Sequence, residues 1–377
     1  MEPVTHILTG ACMARAGLNR RAAYATLTMA VAAEFPDIDT LWRLRGPVAA
    51  LQHHRGITHT FIALPVEAGL IVAAVYGLHR FRAGRAKGGN RLEVTQAPVR
   101  WGLLYGFALL ALLSHLALDY SNNYGLRPFF PFDPRWYAGS FVFIFDPVIL
   151  VLLLLAFVAP PLFALVGAEV GARKQRFRGR DWAIAALLGV AAWWSLRAVE
   201  HGRAEQIAAA QSMAVAPAEA GPDTPLQFAQ PVRVQANPDP FSPFRWHAVS
   251  DFGEFYQLAE IDLLNGSLTP AQDIHYKPAN TPAVLAAEAS PLGRVYMDWS
   301  PMPFIAESPP GDPTRVATNN PSDTRFANST IVTFRDPRFM IDLPLLRGRS
   351  DPPLTGTVAL DAQNRVVRQT MDGDVQR

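Results

Sequence analysis

The stretch His53-His54-Arg55-Gly56-Ile57-Thr58-His59-Thr60 places three imidazoles and a guanidinium at the mouth of an apolar run. Polar ligand types at a membrane boundary are costly to keep there unless something binds them. Two further pieces share that setting, Pro36-Asp37-Ile38-Asp39 upstream and Ser114-His115-Leu116-Ala117-Leu118-Asp119 downstream. We read the three as meeting in one metal site. His115 and Asp119 stand at i and i+4, so on a helix their side chains share one face, a turn apart. Asp37 and Asp39 follow a helix-ending proline, and can bridge two ions or divide into a ligand and a group that orients one. Imidazole nitrogen with carboxylate oxygen suits zinc best, with manganese or iron as alternatives; magnesium or calcium would recruit more oxygen. A cation of that kind brings the pKa of a coordinated water to roughly 7, which is the chemistry of hydrolysis at neutral pH. His54, just before Gly56, falls on a loop, and Thr58 can cap the apolar span that His59 opens. The planar fork of Arg55 fits a phosphoryl or carboxylate group.

Each piece alone has an ordinary reading. His6 reads equally as a ligand or as a terminal capping residue. Asp37-Ile38-Asp39 alone is a solvated loop, and His53-His54-Arg55 alone makes headgroup contacts. Asp146, between Phe145 and Pro147, is better read as a cap of the span that follows, and Glu200-His201 as juxtamembrane surface. His115 and Asp119 resist such a reading, because ionisable residues on one face of an apolar helix mark a functional site by default.

The elements that must carry these residues are helical. Residues 3–17 predict a short helix, with Thr5 as N-cap and Gly17 as stop, and 22–35 a second one ending at Pro36. Neither reaches the ~20 residues that span hydrocarbon. Four longer apolar segments follow, at about 59–79, 101–119, 141–168 and 182–199, each long enough to cross a bilayer. The first connection between spans carries Arg80, Arg82, Arg85, Lys87, Arg91 and Arg100 against Glu93, and a later one Arg173, Lys174, Arg176, Arg178 and Arg180. Both face the cytoplasm by the positive-inside rule. The ligand-type residues then fall at the opposite, outer ends of the spans, and everything after 200 lies outside.

Within its 377 residues the composition shifts near residue 203. Residues 1–202 read as a polytopic α-helical membrane domain of two short helices plus four transmembrane helices, 203–229 as a linker, and 230–377 as a small β-rich extracytoplasmic domain. The strand pattern there covers 244–249, 252–264, 294–299, 330–335 and 355–368, the last with a hairpin turn at Asp361-Ala362-Gln363-Asn364. A net charge of +2 in scattered basic clusters argues against nucleic acid. The single cysteine, Cys12, rules out an intrachain disulfide framework. Met1–Arg21 lacks the continuous apolar core of a cleaved signal peptide.

The ordered set of an N-terminal His, Pro-Asp-Ile-Asp, His-Arg-Gly-Ile-Thr-His-Thr and Ser-His-Leu-Ala-Leu-Asp resembles the YdjM-like family over about residues 1–170. Those are bacterial inner-membrane proteins described as metal-dependent hydrolases. The resemblance implies His6, Asp37, Asp39, His54, His59, His115 and Asp119 as the matching positions, with Arg55 inside the motif. The family is in turn distantly similar to zinc-dependent phospholipase C and the P1-type nucleases, a likeness that suggests phosphoester hydrolysis. The long C-terminal domain lies outside it.

Two functions follow from these readings. One is a multi-pass inner-membrane hydrolase acting at the outer face on a phosphoester or other lipid-linked ester. Its metal ligands would be His6, Asp37, Asp39, His59, His115 and Asp119; His54, Arg55 and Asp39 would serve catalysis, with His6 and His54 completing the site or shuttling protons. The other is a non-catalytic scaffold or sensor with a structural metal, whose outer domain binds a protein partner. A transporter fits less well, because no ionisable relay crosses the midplane.

Overall fold

The computed structural model describes residues 1–86, 97–169, 179–215, 227–311, 328–340 and 351–376. It separates into two units, one of 1–39 with 55–198 and one of 40–54 with 199–377.

The first unit is helical. Helix α1 (Pro3–Arg15) opens with proline at its first turn after Glu2, and Gly17, at φ +149°, follows its end. Thr5 therefore lies inside the helix rather than capping it. Helix α2 (Ala25–Glu34) buries Ala25, Thr28, Met29, Ala32 and Ala33, a small-residue face that lets it cross α1 closely. The contact is tight enough that a Cβ on Gly10 would sit 2.2 Å from the Met29 carbonyl oxygen. After α2 the chain runs on in tight 3₁₀ turns over Phe35–Arg45, which carry Asp37 and Asp39, and a second such turn covers Ile57–His59.

Four longer helices follow: α4 (Leu64–Ala86), α5 (Trp101–Ser121), α6 (Pro147–Glu169) and α7 (Arg180–Ala209). All four are long and apolar enough to cross a membrane. Helix α4 begins at Leu64 rather than at His59, so His59 precedes the span on its own turn. In the turn that leads into α4 the Thr60 hydroxyl accepts from the Ala63 amide. Asp146 does cap α6, accepting from Val148 and Ile149, and its other oxygen takes the indole N–H of Trp193. Helix α5 turns Leu104, Ala108, Ala111, Leu112, His115 and Asp119 inward against α2 and α4. Leu70, Leu110, Leu154 and Leu188 point outward, as lipid-facing residues do. Lys87, Arg91, Glu93, Arg173, Lys174, Arg176 and Arg178 lie outside the described residues.

The second unit is built on antiparallel sheets. Strands β3 (Arg233–Pro238), β4 (Arg245–Asp251), β5 (Phe255–Asp262) and β6 (Ser267–Tyr276) pair in sequence order. A second sheet runs β11-β10-β9-β8-β7, from β7 (Phe304–Ser308) and β8 (Thr330–Arg335) to β9 (Gly356–Leu360), β10 (Val366–Met371) and β11 (Asp374–Val375). The hairpin at 361–364 forms as expected, with Asn364 left-handed at φ +57°. Residues 294–299 are not a strand. They belong to α9 (Pro291–Trp299), where the Ser290 hydroxyl caps the Gly293 amide and Leu292, Tyr296 and Trp299 bury one helical face. A shorter helix, α8 (Pro282–Glu288), precedes it, and α3 (Pro47–His53) packs on α9 and β10. Within 203–229, α7 continues to Ala209, and β1 (Met213–Val215) pairs with β2 (Gln227–Ala229), so that stretch is not simply linker.

Candidate metal centre

Four side chains from three parts of the helical unit converge. Asp37 comes from the turns after α2, His59 from the turn before α4, and His115 and Asp119 from successive turns of α5. One ligand atom from each lies within 4.8 Å of the others. His59, His115 and Asp119 have no exposed side-chain surface, while Asp37 retains 11 %.

The spacing is that of a coordination shell. Ligands about 2.0–2.1 Å from a tetrahedral cation stand about 3.3 Å from one another. His59 Nε2 is 3.0 Å from His115 Nε2, 3.3 Å from Asp37 Oδ1 and 3.4 Å from Asp119 Oδ2. His115 Nε2 is 3.4 Å from Asp119 Oδ2 and 3.8 Å from Asp37 Oδ1. The residues present therefore fit a single cation of zinc size.

The groups behind them aim the lone pairs inward. His115 Nδ1 donates to the Ala33 carbonyl at 2.7 Å, which turns Nε2 towards the cluster. Asp39 Oδ2 sits 3.3 Å from His59 Nδ1 and accepts from the Arg55 amide and the Thr58 hydroxyl. Asp39 thus stands behind the His59 ring rather than within the four-atom group.

Asp119 divides its oxygens. Oδ1 accepts from Arg55 Nη2 at 2.9 Å and from the α-amino group of Met1. Oδ2, fully buried, has no hydrogen-bond partner and faces the two imidazoles. His6 lies on the Oδ1 side, its ring stacked on His115 at 3.8 Å and its Nε2 3.4 Å from Asp119 Oδ1. Arg55 is only 2 % exposed and sits in a left-handed backbone conformation at φ +52°. Beyond Asp119 it donates to Asn122 Oδ1 and the Gly125 carbonyl, and its guanidinium lies 4.7 Å over the Tyr124 ring. His54 follows α3 in the second unit, where its amide donates to Ala50.

Electrostatics follows from the crowding. Burial works against a charge on His59, yet the Asp119, Asp37 and Asp39 carboxylates raise its imidazole to about 10. Burial opposes ionisation of Asp37 too, and the His59 and His115 rings hold its carboxyl below the usual range. His6 is pushed down by burial and by the neighbouring His115 and Met1 charges.

Three polar residues near the site carry no obvious mark in the sequence. Glu34, in the last turn of α2, is half-buried with an unpartnered Oε2. Glu67, 5 % exposed in the first turn of α4, interacts electrostatically with His59 and Asp39. Asn122, fully buried, holds Arg55. Their one signal is polarity inside or beside an apolar run.

The family model for the YdjM inner membrane protein matches residues 1–204. A protein of Bacillus subtilis (strain 168), described as "Uncharacterized protein YfhP", is 27 % identical over 159 residues, covering 40 % of this chain and 43 % of that one. The chain thus spans less than half the length of that relative. No solved structure matches.

Proposed function

The chain belongs to the YdjM inner membrane protein family, and from that premise we propose that it is a membrane-embedded, metal-dependent hydrolase. Its cation is zinc, or failing that manganese, held by Asp37, His59, His115 and Asp119. The observation that carries this reading is the run of ligand-atom separations between 3.0 and 3.8 Å. A bound divalent cation supplies Lewis acidity for hydrolysis at neutral pH.

The chain's own residues prepare the site. The Ala33 carbonyl and the Asp39 carboxylate fix the two imidazoles, and Arg55 keeps Asp119 turned with Oδ2 inward. Arg55 is then a positioning residue for Asp119, since its described contacts are internal, and substrate anions are left to the cation. His6, neutral and stacked on His115, is placed to carry a proton. Asp37 is the one ligand with exposed surface, and substrate reaches the site from its side. The substrate class is a phosphoester or other ester of a membrane lipid. By the positive-inside rule the arginines at 80, 82, 85 and 100 favour the outer face for the opposite ends of the spans, which supports an extracytoplasmic location for the site and for the C-terminal unit.

Metal analysis of the purified full-length protein, followed by a panel of phosphoester and carboxylester lipids, tests this. The protein is expected to carry about one zinc or manganese, with hydrolysis lost on chelation. His115→Ala with Asp119→Ala is expected to remove the metal; unchanged content in that variant overturns the assignment. A reporter fused after residue 300 is expected to register the outer side.

One observation favours the scaffold reading. All four groups already stand at ligand spacing, and a shell closed by four protein ligands is the mark of a structural site. Metal retained with no hydrolysis across the panel would select it.

A further inference from the structure

Beside the cluster, a cavity of about 450 Å³ opens between α1, α2 and the turns that follow them. That is within the ~300–1,000 Å³ usual for small-molecule sites. Ile7, Ala30, Val31, Phe35 and Ile38 line it, together with two acidic residues three positions apart, Glu34 and Asp37. Ile7, Val31 and Ile38 are each about two-fifths exposed or more, so the apolar wall is reachable from outside.

We propose that this cleft holds one acyl chain of a membrane phospholipid, with the lipid's phosphoester end directed at Asp37 and the metal cluster. The proposal rests on the hydrolase reading and adds where the substrate's hydrocarbon lies.

Three observations converge on that occupant. The lining is aliphatic and aromatic, with no basic side chain to recruit a free anion. It shares Asp37 with the cluster, the one of the four ligands that is not fully buried. Among the described residues four helices are long and apolar enough to cross a bilayer, so a hydrocarbon chain is the apolar ligand at hand. Glu34 does not spoil the apolar character. Burial, reinforced by the Asp37 charge, raises its carboxyl to about 8, so it is neutral at pH 7. A neutral carboxyl with an unpartnered Oε2 is able to donate to an ester or phosphate oxygen where the chain meets its headgroup.

The test uses the full-length protein in detergent with phosphatidylglycerol that carries a photoreactive diazirine on one acyl chain. At about one probe per protein, labelling is expected to concentrate on peptides containing Ile7, Val31 and Ile38. The outward-facing Leu154 and Leu188 serve as controls for bulk lipid. Val31→Trp, and independently Ile7→Trp on the other helix, should cut cleft labelling about tenfold, the change that ~1.4 kcal/mol of lost binding produces. Both positions are exposed, so both variants should fold. Labelling spread evenly between cleft and controls overturns the proposal, as does cleft labelling that survives both substitutions. Metal content is read on the same samples. A wild-type protein without metal defeats the hydrolase reading whatever the labels show, whereas normal metal with evenly spread label defeats the cleft alone.

Discussion

Each unit buries a carboxylate against a guanidinium, and the two burials differ in how completely they are satisfied. In the β-rich unit Asp336 is 1 % and Arg338 3 % exposed. Asp336 Oδ1 accepts from the Arg338 amide and Nε, both at 2.9 Å, and Oδ2 accepts from Arg338 Nη2 at 2.7 Å and from the Ser300 hydroxyl. The guanidinium also lies 4.6 Å over the Trp299 ring. Both oxygens are fully used, and nothing further is required. In the helical unit only Asp119 Oδ1 meets Arg55, while Oδ2 faces two imidazoles without a hydrogen bond. An orphaned buried acceptor is costly unless another species completes it. The first arrangement is a finished ion pair, and the second has donors left over around a point that a cation would fill.

The largest expected effect tests the finished pair. Asp336→Ala strands the Arg338 charge in the interior and should cost about 3–5 kcal/mol of stability. Thermal unfolding reads the loss, with metal content unchanged. An unshifted melting temperature would show that the network contributes little. Next, Arg55→Met should weaken metal affinity about 10–100-fold by releasing Asp119. Competition with a chelator measures it. Unaltered affinity with impaired hydrolysis would move Arg55 from the ligand side to the substrate side.

A third expectation concerns pH and the helical unit. His59 has its folded pKa raised from 6.5 to about 10 by neighbouring carboxylates. In the metal-free protein its contribution to stability is therefore fully present below about pH 6.5 and fades as pH climbs towards 10. Metal binding runs the other way, because the cation needs the lone pair that the proton occupies. Apparent affinity should rise with pH, by at most about tenfold per unit for this one proton. Opposite trends in melting temperature for the metal-free and loaded protein would bear this out, and parallel trends would count against His59 as a ligand.

How much of this could be read from the chain depended on whether the signal was local. The i, i+4 pair His115–Asp119 was legible because helical spacing alone puts both on one face, and the Asp361–Asn364 turn because turn chemistry is local. Other features were settled by contacts between distant segments. Residues 40–54 join the second unit through α3 on α9 and β10, and no change in composition marks that excursion. Residues 294–299 alternate like a strand, but the Ser290 cap and the burial of Leu292, Tyr296 and Trp299 make them helix. Arg55 looked like an anion-binding fork by residue type. Its engagement with Asn122, Gly125 and Asp119 depends on where α5 ends, which sequence spacing does not reveal.

The smallest effects give the sharpest contrast, because one hydroxyl supports each buried carboxylate. Ser300 donates to Asp336, and Thr58 to Asp39 behind the His59 ring. Ser300→Ala should cost about 1 kcal/mol of stability, the usual worth of one internal hydrogen bond, and leave metal binding alone. Thr58→Val should cost less stability, since its bond to Asp39 is long at 3.3 Å and the residue is only half-buried. It should nonetheless weaken metal binding, because Thr58 also meets His59 Nδ1 at 3.1 Å and so bears on the ring's orientation. If Thr58→Val lowers the melting temperature as much as Ser300→Ala and spares the metal, the helical cluster is a structural network like its counterpart. If the two effects separate, stability in one unit and affinity in the other, the unsatisfied atoms around Asp119 are there for a cation.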